Sequence, residues 1–397
     1  MNYQSITTDG QLHQFCNELS QYEAIAFDSE FVAEHTYRPV LCLIQVAAGG
    51  RLAVIDAMAL GDMTPFWEAV AEPGHQTVLH AGRGEIEFCL RAIGRPPAGL
   101  FDVQIAAGLI GAEYPAAYST LVSRTLGQTI GAHETRTDWR RRPLSKRQIE
   151  YALNDAQFLL PLRDELQATL NRLNRLDWMA EEMEAWQGGI QRALSEDRWQ
   201  RTSGNSGLDC RGMAIVRELW KWREGEAERR NTPVRRVLRD DLIVELARRR
   251  SADLQRIQMV RGLERGDLRR RLGEMAASIQ RALDLPQSEC PPTVRRERTP
   301  QHSVLGQFLF SALGSVCRQA RLAPSLVGNP GDIRQWIDFR TARDNGDRRC
   351  DAVPKLARGW RAEFIGRLFD DLLAGKKAIH IENPASESPL VFEPRPA

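Results

Sequence analysis

Alternating and continuous apolar stretches in the first hundred residues predict β-strands separated by turn residues. Helical spacing follows from Glu85 to Leu90, and it prevails again between about Phe101 and Leu176. This succession predicts an α/β or α+β domain built on a mixed sheet. The predicted strands are EAIAFDSEF (23–31), VLCLIQVA (40–47), RLAVIDA (51–57) and QTVLHA (76–81).

The rest of the chain is predicted to be mainly helical, with two breaks in composition. SEDRWQRTSGNSGLD (195–209) is rich in Ser, Gly and Asn, and DLPQSECPPTVRRERTPQ (284–301) is rich in Pro and charge. The breaks divide the chain into one α/β domain and two small all-α domains, and the tail SPLVFEPRPA (388–397) is expected to be irregular. The predicted domains are 1–195, 208–286 and 300–382.

The strand AIAFDSEF is unusual because it places two acids on one face. Side chains alternate along a strand, so Asp28 and Glu30 share a face with Ala24 and Ala26. Two carboxylates in a low-dielectric setting repel each other, and burying either one unpaired is costly. A positive partner is therefore expected beside them.

A second acidic position is predicted on a late helix, LSKRQIEYALNDAQFLL (144–160). Ser145 followed by Gln148 is typical of a capping box at a helix start. Tyr151 and Asp155 then lie four residues apart and project from one face. Such a pair is common on exposed helices, so by itself it indicates little.

The combination is more specific, because D-x-E on an early strand, a further acid after a strand, and Y-x-x-x-D on a late helix occur together. It resembles the tyrosine-bearing branch of the DEDD 3′→5′ exonucleases, and its surroundings resemble the ribonuclease D family. LWKWREGEAERRNTPVRRVLRDDLIVELARRR (219–250) is similar to an HRDC domain, and KLARGWRAEFIGRLFDDLLAG (355–375) to the end of a second, divergent copy. The matching stretches are FDSEF, LCLIQVA, VLHAGRGEIE, FDVQIAA and ETRTDWRRRPLSKRQIEYALNDAQFLLPL.

The resemblance implies an RNase H-like exonuclease domain followed by two small all-α HRDC-like domains. It also implies a metal-dependent 3′→5′ exoribonuclease that trims 3′ trailers of tRNA precursors and releases 5′-mononucleotides. Two divalent ions, Mg²⁺ or Mn²⁺, would be the positive partners, since hard cations take oxygen ligands. Tyr151 would orient the attacking water. The implied metal ligands are Asp28, Glu30, Glu85 and Asp155.

Glu85 departs from the family pattern, which has aspartate at this position. The extra methylene leaves three interpretations open: Glu85 is a working ligand with a preference for Mn²⁺, Asp102 contributes instead, or the site is weakened. A weakened site would suit a non-catalytic RNA-binding protein on a decayed exonuclease fold. A DNA 3′→5′ exonuclease is a further alternative, because sequence cannot show recognition of the 2′-hydroxyl.

Basic and aromatic residues flank the predicted site and are candidates for substrate binding. Arginine binds phosphate through two parallel hydrogen bonds, and aromatic rings stack on unpaired bases. Trp139 suits the core equally well. His80 is expected to be a packed residue, and His133 stands where relatives carry lysine. The substrate-binding candidates are Arg83, Trp139, Arg140, Arg141 and Arg142.

Composition bears on the cellular compartment of the protein but does not identify its activity. The net charge of +2 demands no anionic partner, although three arginine triplets are compatible with nucleic acid. The seven scattered cysteines contain no C-x-x-C pair, which favours a reducing cytoplasm and argues against a thiolate zinc site. The chain shows neither a membrane-spanning apolar run nor a signal pattern, and no obligate protein partner is evident.

Overall fold

The computed structural model describes residues 1–131, 137–263, 266–291, 300–344, 353–386 and 388–395. His133 lies outside the described residues, as does the first part of the ETRTDWRRR stretch. Within the described ranges, no helix combines the length and apolar character needed to cross a membrane.

A six-stranded mixed sheet forms the centre of the N-terminal part, in the order β1-β4-β3-β2-β5-β6. Strand β3 is antiparallel to β2 and β4, whereas β5 is parallel to β2 and β6. The predicted mixed sheet is thus confirmed, although the pattern did not reveal the three-residue strands β1 and β6. The strands are β1 Gln4–Ile6, β2 Ala24–Val32, β3 Val40–Ala48, β4 Arg51–Ile55, β5 Gln76–Leu79 and β6 Leu100–Asp102.

Helices cover both faces of this sheet. Ile25 and Phe27 of β2 pack into one apolar cluster, whereas the intervening Ala26 belongs to the cluster on the other face. This is the alternation that the sequence predicted for β2. The helices are α1 Asp9–Leu19, α2 Thr64–Ala71, α3 Arg83–Ile93, α4 Val103–Leu109, α5 Tyr118–Leu126, α6 Lys146–Gln157, α7 Leu159–Arg172 and α8 Leu176–Ser195.

A middle group of helices has an apolar core of its own, which includes Leu219, Ile243 and Ile279. Its first long helix begins beyond the Ser/Gly-rich segment that the composition indicated as a linker, but that segment contributes Trp199 to the core and forms a short 3-10 helix, Arg198–Arg201. Its helices are α9 Cys210–Arg229, α10 Val234–Val237, α11 Asp240–Arg249, α12 Leu254–Gln258, α13 Gly266–Arg269 and α14 Leu272–Asp284.

The loop between β2 and β3 docks on this middle group. Arg38 pairs with Glu228 at 2.5 Å, and the backbone N–H of Tyr37 donates to Asn231 Oδ1 at 3.2 Å. The strand that carries Asp28 and Glu30 therefore runs directly into a contact with the helical part.

A last group of helices follows, and its first three members repeat a pattern seen in the middle group. A 20-residue helix, a four-residue helix and a longer helix succeed one another in both groups. The elements are α15 Pro300–Gln319, α16 Pro324–Val327, α17 Pro330–Asp344, α18 Gly359–Arg361, a π-helical turn Ala362–Gly366, α19 Arg367–Leu373, and the strands β7 Lys377–Ile381 and β8 Leu390–Pro394.

The expectation that the tail SPLVFEPRPA is irregular was wrong for Leu390–Pro394, which pairs antiparallel with β7. The alternation of side chains in this segment becomes recognisable in the sequence only once its partner strand, β7, is known. The predicted domain boundaries at 1–195, 208–286 and 300–382 stay predictions.

The last group of helices shares its core with the sheet domain. Leu309, Trp336 and Phe369 belong to the same apolar cluster as Ala26 and Phe101. A buried ion pair supports this contact, with Arg361 Nη2 2.9 Å from Glu182 Oε2. Trp360 stacks on Trp178 at a centroid distance of 4.7 Å. Segments far apart in sequence thus form one packed unit.

Candidate active site

Three carboxylates from two elements meet on one face of the sheet. Asp28 and Glu30 come from β2, and Asp155 comes from α6, which packs against β2 and β3. One oxygen of each lies within 4.8 Å of the others. Such an all-oxygen donor set fits a hard divalent cation rather than a soft one.

The electrostatics of this group fit a cation as well. Burial, and then the charges of Glu85, Asp155 and Glu30, raise the pKa of Asp28 well above its usual range. Burial and the charges of Asp155 and Glu85 raise the pKa of Glu30 to about 8. The carboxylates repel one another, and a divalent cation between them would relieve that repulsion.

Helix α6 holds Tyr151 and Asp155 in place. Ser145 and Gln148 form the predicted capping box, in which each side chain bonds to the other residue's backbone N–H. The Tyr151 phenol donates to Asp155, and burial together with the charge of Asp155 raises the pKa of Tyr151. Tyr151 is therefore a neutral hydrogen-bond donor at physiological pH.

Glu85 lies beside this group without being one of the three clustered carboxylates. It sits in the first turn of α3, is buried, and accepts a hydrogen bond from the Ser29 hydroxyl. Burial raises the pKa of Glu85 despite that hydrogen bond. Its charge nevertheless reaches Asp28, where it is the largest of the electrostatic causes of the raised pKa.

The carboxylate of Asp102 binds backbone N–H groups, which weakens the case for Asp102 as a metal ligand in place of Glu85. One carboxylate oxygen accepts from the backbone N–H groups of Gln104 and Ile105 at the start of α4, and the other accepts from Gly82 at 3.0 Å. His80 is also packed, with Nε2 3.0 Å from the Ala116 carbonyl oxygen, and burial lowers its pKa.

A cavity of about 610 Å³ opens beside Glu30 and Tyr151. Sequence reasoning missed several of its lining residues, among them Phe31 and His35. Phe31 is 38% exposed and follows Glu30 directly, so its position after the D-x-E pair was the available signal. The lining includes Glu30, Phe31, His35, Asp138, Arg140 and Tyr151.

The arginines proposed from sequence differ in how free their guanidinium groups are. Arg141 is 85% exposed, and its Nε lies 3.9 Å from Asp138. Arg140 binds Asp138 through Nε and Nη2, and Arg83 pairs with Glu87 at 2.9 Å.

Arg142 and Trp139 are integrated into the fold. Arg142 makes two contacts of 2.6 Å with Asp56 and also donates to the carbonyl oxygens of Cys42 and Trp139. Trp139 is 5% exposed and packs near Tyr151, with ring centroids 6.1 Å apart. Trp139 thus belongs to an apolar cluster, which is the core alternative that the sequence left open for it.

Family models match two parts of the chain. A model described as 3′-5′ exonuclease matches residues 3–171, and one described as HRDC domain matches residues 213–279. The predicted exonuclease fold and the first HRDC domain are thereby confirmed. The second HRDC-like domain at 300–382 stays a prediction.

Whole-chain relatives agree with these matches. Ribonuclease D of Acidiphilium cryptum (strain JF-5) is 35% identical over 380 residues, covering 94% of each chain. Ribonuclease D of Escherichia coli (strain K12) is 30% identical over 375 residues, covering 94% of this chain and 99% of its own. The crystal structure of Escherichia coli RNase D, an exoribonuclease involved in structured RNA processing, has a TM-score of 0.84 at 29% identity, covering 94% and 99% of the two chains. The catalytic core of RRP6 from Trypanosoma brucei, with a TM-score of 0.54 at 19% identity, covers 71% and 80% and shows the fold alone.

Proposed function

This chain belongs to the ribonuclease D family and is a 3′→5′ exoribonuclease, and from that premise we propose that it trims 3′ trailers of tRNA precursors. We propose further that Asp28, Glu30 and Asp155, with Glu85 and Tyr151, form its active site. The main support for this proposal is that the three carboxylates converge beside a cavity that is lined by Tyr151.

The exonuclease family is divalent-metal dependent, and Mg²⁺ or Mn²⁺ bound here, two per site, would supply Lewis-acid chemistry for hydrolysis of the terminal phosphodiester. Asp28, Glu30 and Asp155 would hold the ions, and the charges of Glu85, Asp155 and Glu30 all act on Asp28.

Tyr151 positions the attacking water by hydrogen bonding. In the metal-free site, burial and the neighbouring carboxylates raise the pKa of Tyr151, so the phenol is protonated and donates a hydrogen bond. Its bond to Asp155 fixes the phenol relative to the carboxylates. Product release as 5′-mononucleotides follows from attack at the phosphorus with departure of the 3′ oxygen.

Glu85 acts as the fourth ligand in this proposal. Its burial and its electrostatic coupling to Asp28 favour that role over a surface role. Asp102 is the weaker candidate, because backbone amides occupy both of its oxygens.

The RNA end enters through the cavity. Phe31 offers an aromatic face for an unpaired base, and Arg83, Arg140 and Arg141 offer charge to the backbone phosphates. The HRDC domain suggests further RNA contact, and precursors of tRNA are the proposed partners. A cytoplasmic location stays a prediction from the scattered cysteines.

A gel time course on a 5′-labelled tRNA precursor with a short 3′ tail tests this proposal. Reactions would contain Mg²⁺, Mn²⁺ or EDTA, with Asp155→Asn and the exposed control Glu165→Gln alongside. We expect a metal-dependent ladder that stops near the mature end and is absent in Asp155→Asn. Lewis-acid stabilisation of several kcal/mol corresponds to a rate loss on the order of a thousandfold.

Two outcomes would contradict the proposal. Equal activity of Asp155→Asn and wild type would refute the site, and degradation through the mature end without a pause would refute the trimming role. A matched precursor with a 2′-deoxy tail separates RNA from DNA chemistry, since only the 2′-hydroxyls differ.

A further inference from the structure

Gln45 is a buried polar residue whose amide has no partner. The side chain is 0% exposed, and neither Oε1 nor Nε2 has a hydrogen-bond partner among the described residues. Buried amides are nearly always hydrogen-bonded, so an isolated one needs an explanation. The residue stands in the middle of β3, where Leu43 and Ala47, its neighbours on the same face, are apolar.

The position of Gln45 relates it to the active site. In the antiparallel pair of β2 and β3, Gln45 is the direct partner of Asp28. Residues directly opposite each other in such a pair share a face, with Cβ atoms about 4.5–5.5 Å apart. Helix α6, which carries Tyr151 and Asp155, covers this face. The amide of Gln45 is thus buried on the same face of the sheet as the Asp28 carboxylate.

An apolar residue would satisfy packing at this position better than Gln does. Leu43 already packs against Ala152 and Leu153 of α6, so the surroundings accept aliphatic side chains. The amide therefore costs stability with no compensating contact in the described structure. A group that costs stability beside an active site is expected to serve that site.

We infer that Gln45 is a positioning residue for Asp28, an inference that rests on the site assigned under the proposed function. The Gln45 Nε2–H group donates through one bridging water to the Asp28 carboxylate and holds it in the orientation that a divalent cation needs. Hydrogen bonds of this kind orient ligand carboxylates, and their loss weakens metal affinity about 10–100-fold.

The test compares Gln45→Met with the wild type in the absence of RNA. Methionine keeps the length and removes the donor. We expect Mn²⁺ affinity, measured by electron paramagnetic resonance of the free ion, to weaken at least about tenfold. The melting temperature in EDTA should stay equal or rise, because the buried amide is gone. The Mg²⁺ concentration for half-maximal activity should rise by the same factor, and the rate at saturating Mg²⁺ should recover.

Three variants keep the test decisive. Gln45→Leu repeats the test with another side chain in case Gln45→Met folds poorly. Thr77→Val is the control, because it removes a buried polar group from β5, away from Asp28. Asp28→Asn distinguishes a failure of the role proposed for Gln45 from a failure of the active-site assignment. If Asp28→Asn loses Mn²⁺ while both Gln45 variants bind it as tightly as the wild type, only the role of Gln45 is refuted. If Asp28→Asn also binds Mn²⁺ normally, the active-site assignment itself fails.

Discussion

Ser29 donates a hydrogen bond to the carboxylate of Glu85, although Ser29 lies on the face of β2 opposite to Asp28 and Glu30. Glu85 therefore reaches β2 from the side of Ser29 and influences Asp28 through its charge. An aspartate on the same backbone would be one methylene shorter and would reach less far toward Ser29.

Glu85→Asp is expected to shift the metal preference of the enzyme. Release from Ser29 should let the carboxylate meet the strict octahedral geometry of Mg²⁺, which Mn²⁺ requires less strictly. The ratio of kcat/KM in Mg²⁺ to that in Mn²⁺ should rise by roughly tenfold. Glu87→Asp, which changes a residue of the same helix that pairs with Arg83, is the matched control. A ratio that is unchanged in Glu85→Asp would show that Glu85 does not influence the ions.

The raised pKa of Glu30 predicts a pH dependence of stability without metal. The pKa rises from 4.5 to about 8 on folding, so the folded protein binds more protons than the unfolded chain between these values. Stability in EDTA should therefore fall as the pH rises from about 4.5 to about 8. Thermal melts across this range would measure it, and Glu30→Gln should make the profile less steep, because Asp28 and Glu85 also have raised pKa values.

The affinity for metal ions should depend on pH in the opposite direction. Ligands must lose their protons, so Mn²⁺ affinity should increase as the pH rises toward about 8, and binding should release protons. Calorimetry in two buffers of different ionisation enthalpy counts those protons. A binding enthalpy that is the same in both buffers would contradict the raised pKa.

Tyr151→Phe should slow the chemical step without weakening RNA binding. The variant loses the phenol that donates to Asp155 but keeps the ring beside Trp139. Loss of one positioned donor typically costs about a hundredfold in rate. Single-turnover rates in Mg²⁺ and RNA affinity in Ca²⁺ would be compared. A loss confined to affinity would assign Tyr151 to RNA binding instead.

Arg361→Met should destabilise the whole sheet domain. The change leaves Glu182 buried without its cationic partner, which costs about 3–5 kcal/mol. Urea unfolding would measure the free energy. Arg249→Met removes the exposed pair with Glu245 and should cost less than about 1 kcal/mol. Equal effects of the two substitutions would mean that the buried pair contributes no more than a surface pair.

Local signals in the sequence were sufficient for the parts of the site that lie within single elements. The capping box of Ser145 and Gln148 located α6, and helical spacing then placed Tyr151 and Asp155 on one face. Strand alternation likewise placed Asp28 and Glu30 together. These relationships depend on residues a few positions apart, which backbone geometry fixes.

Contacts between distant segments could not be predicted in this way. Arg142 was expected to face substrate, but it binds Asp56, which is 86 positions away. The hydrogen bond between Ser29 and Glu85, and the lack of a hydrogen-bond partner for the Gln45 amide among the described residues, likewise depend on how separate elements pack. The strands β1 and β6 were missed because three residues are too few to show a period.

The core shared by the sheet domain and the last helices has a consequence for the order of folding during synthesis. Residues such as Leu309 and Phe369 leave the ribosome long after Ala26 and Phe101, with which they share one apolar cluster. The middle helices complete a separate cluster, so they are able to close their core first. One face of the sheet domain is therefore completed only when the last helices have been synthesised, and an interrupted chain exposes the apolar surface that these helices would have covered.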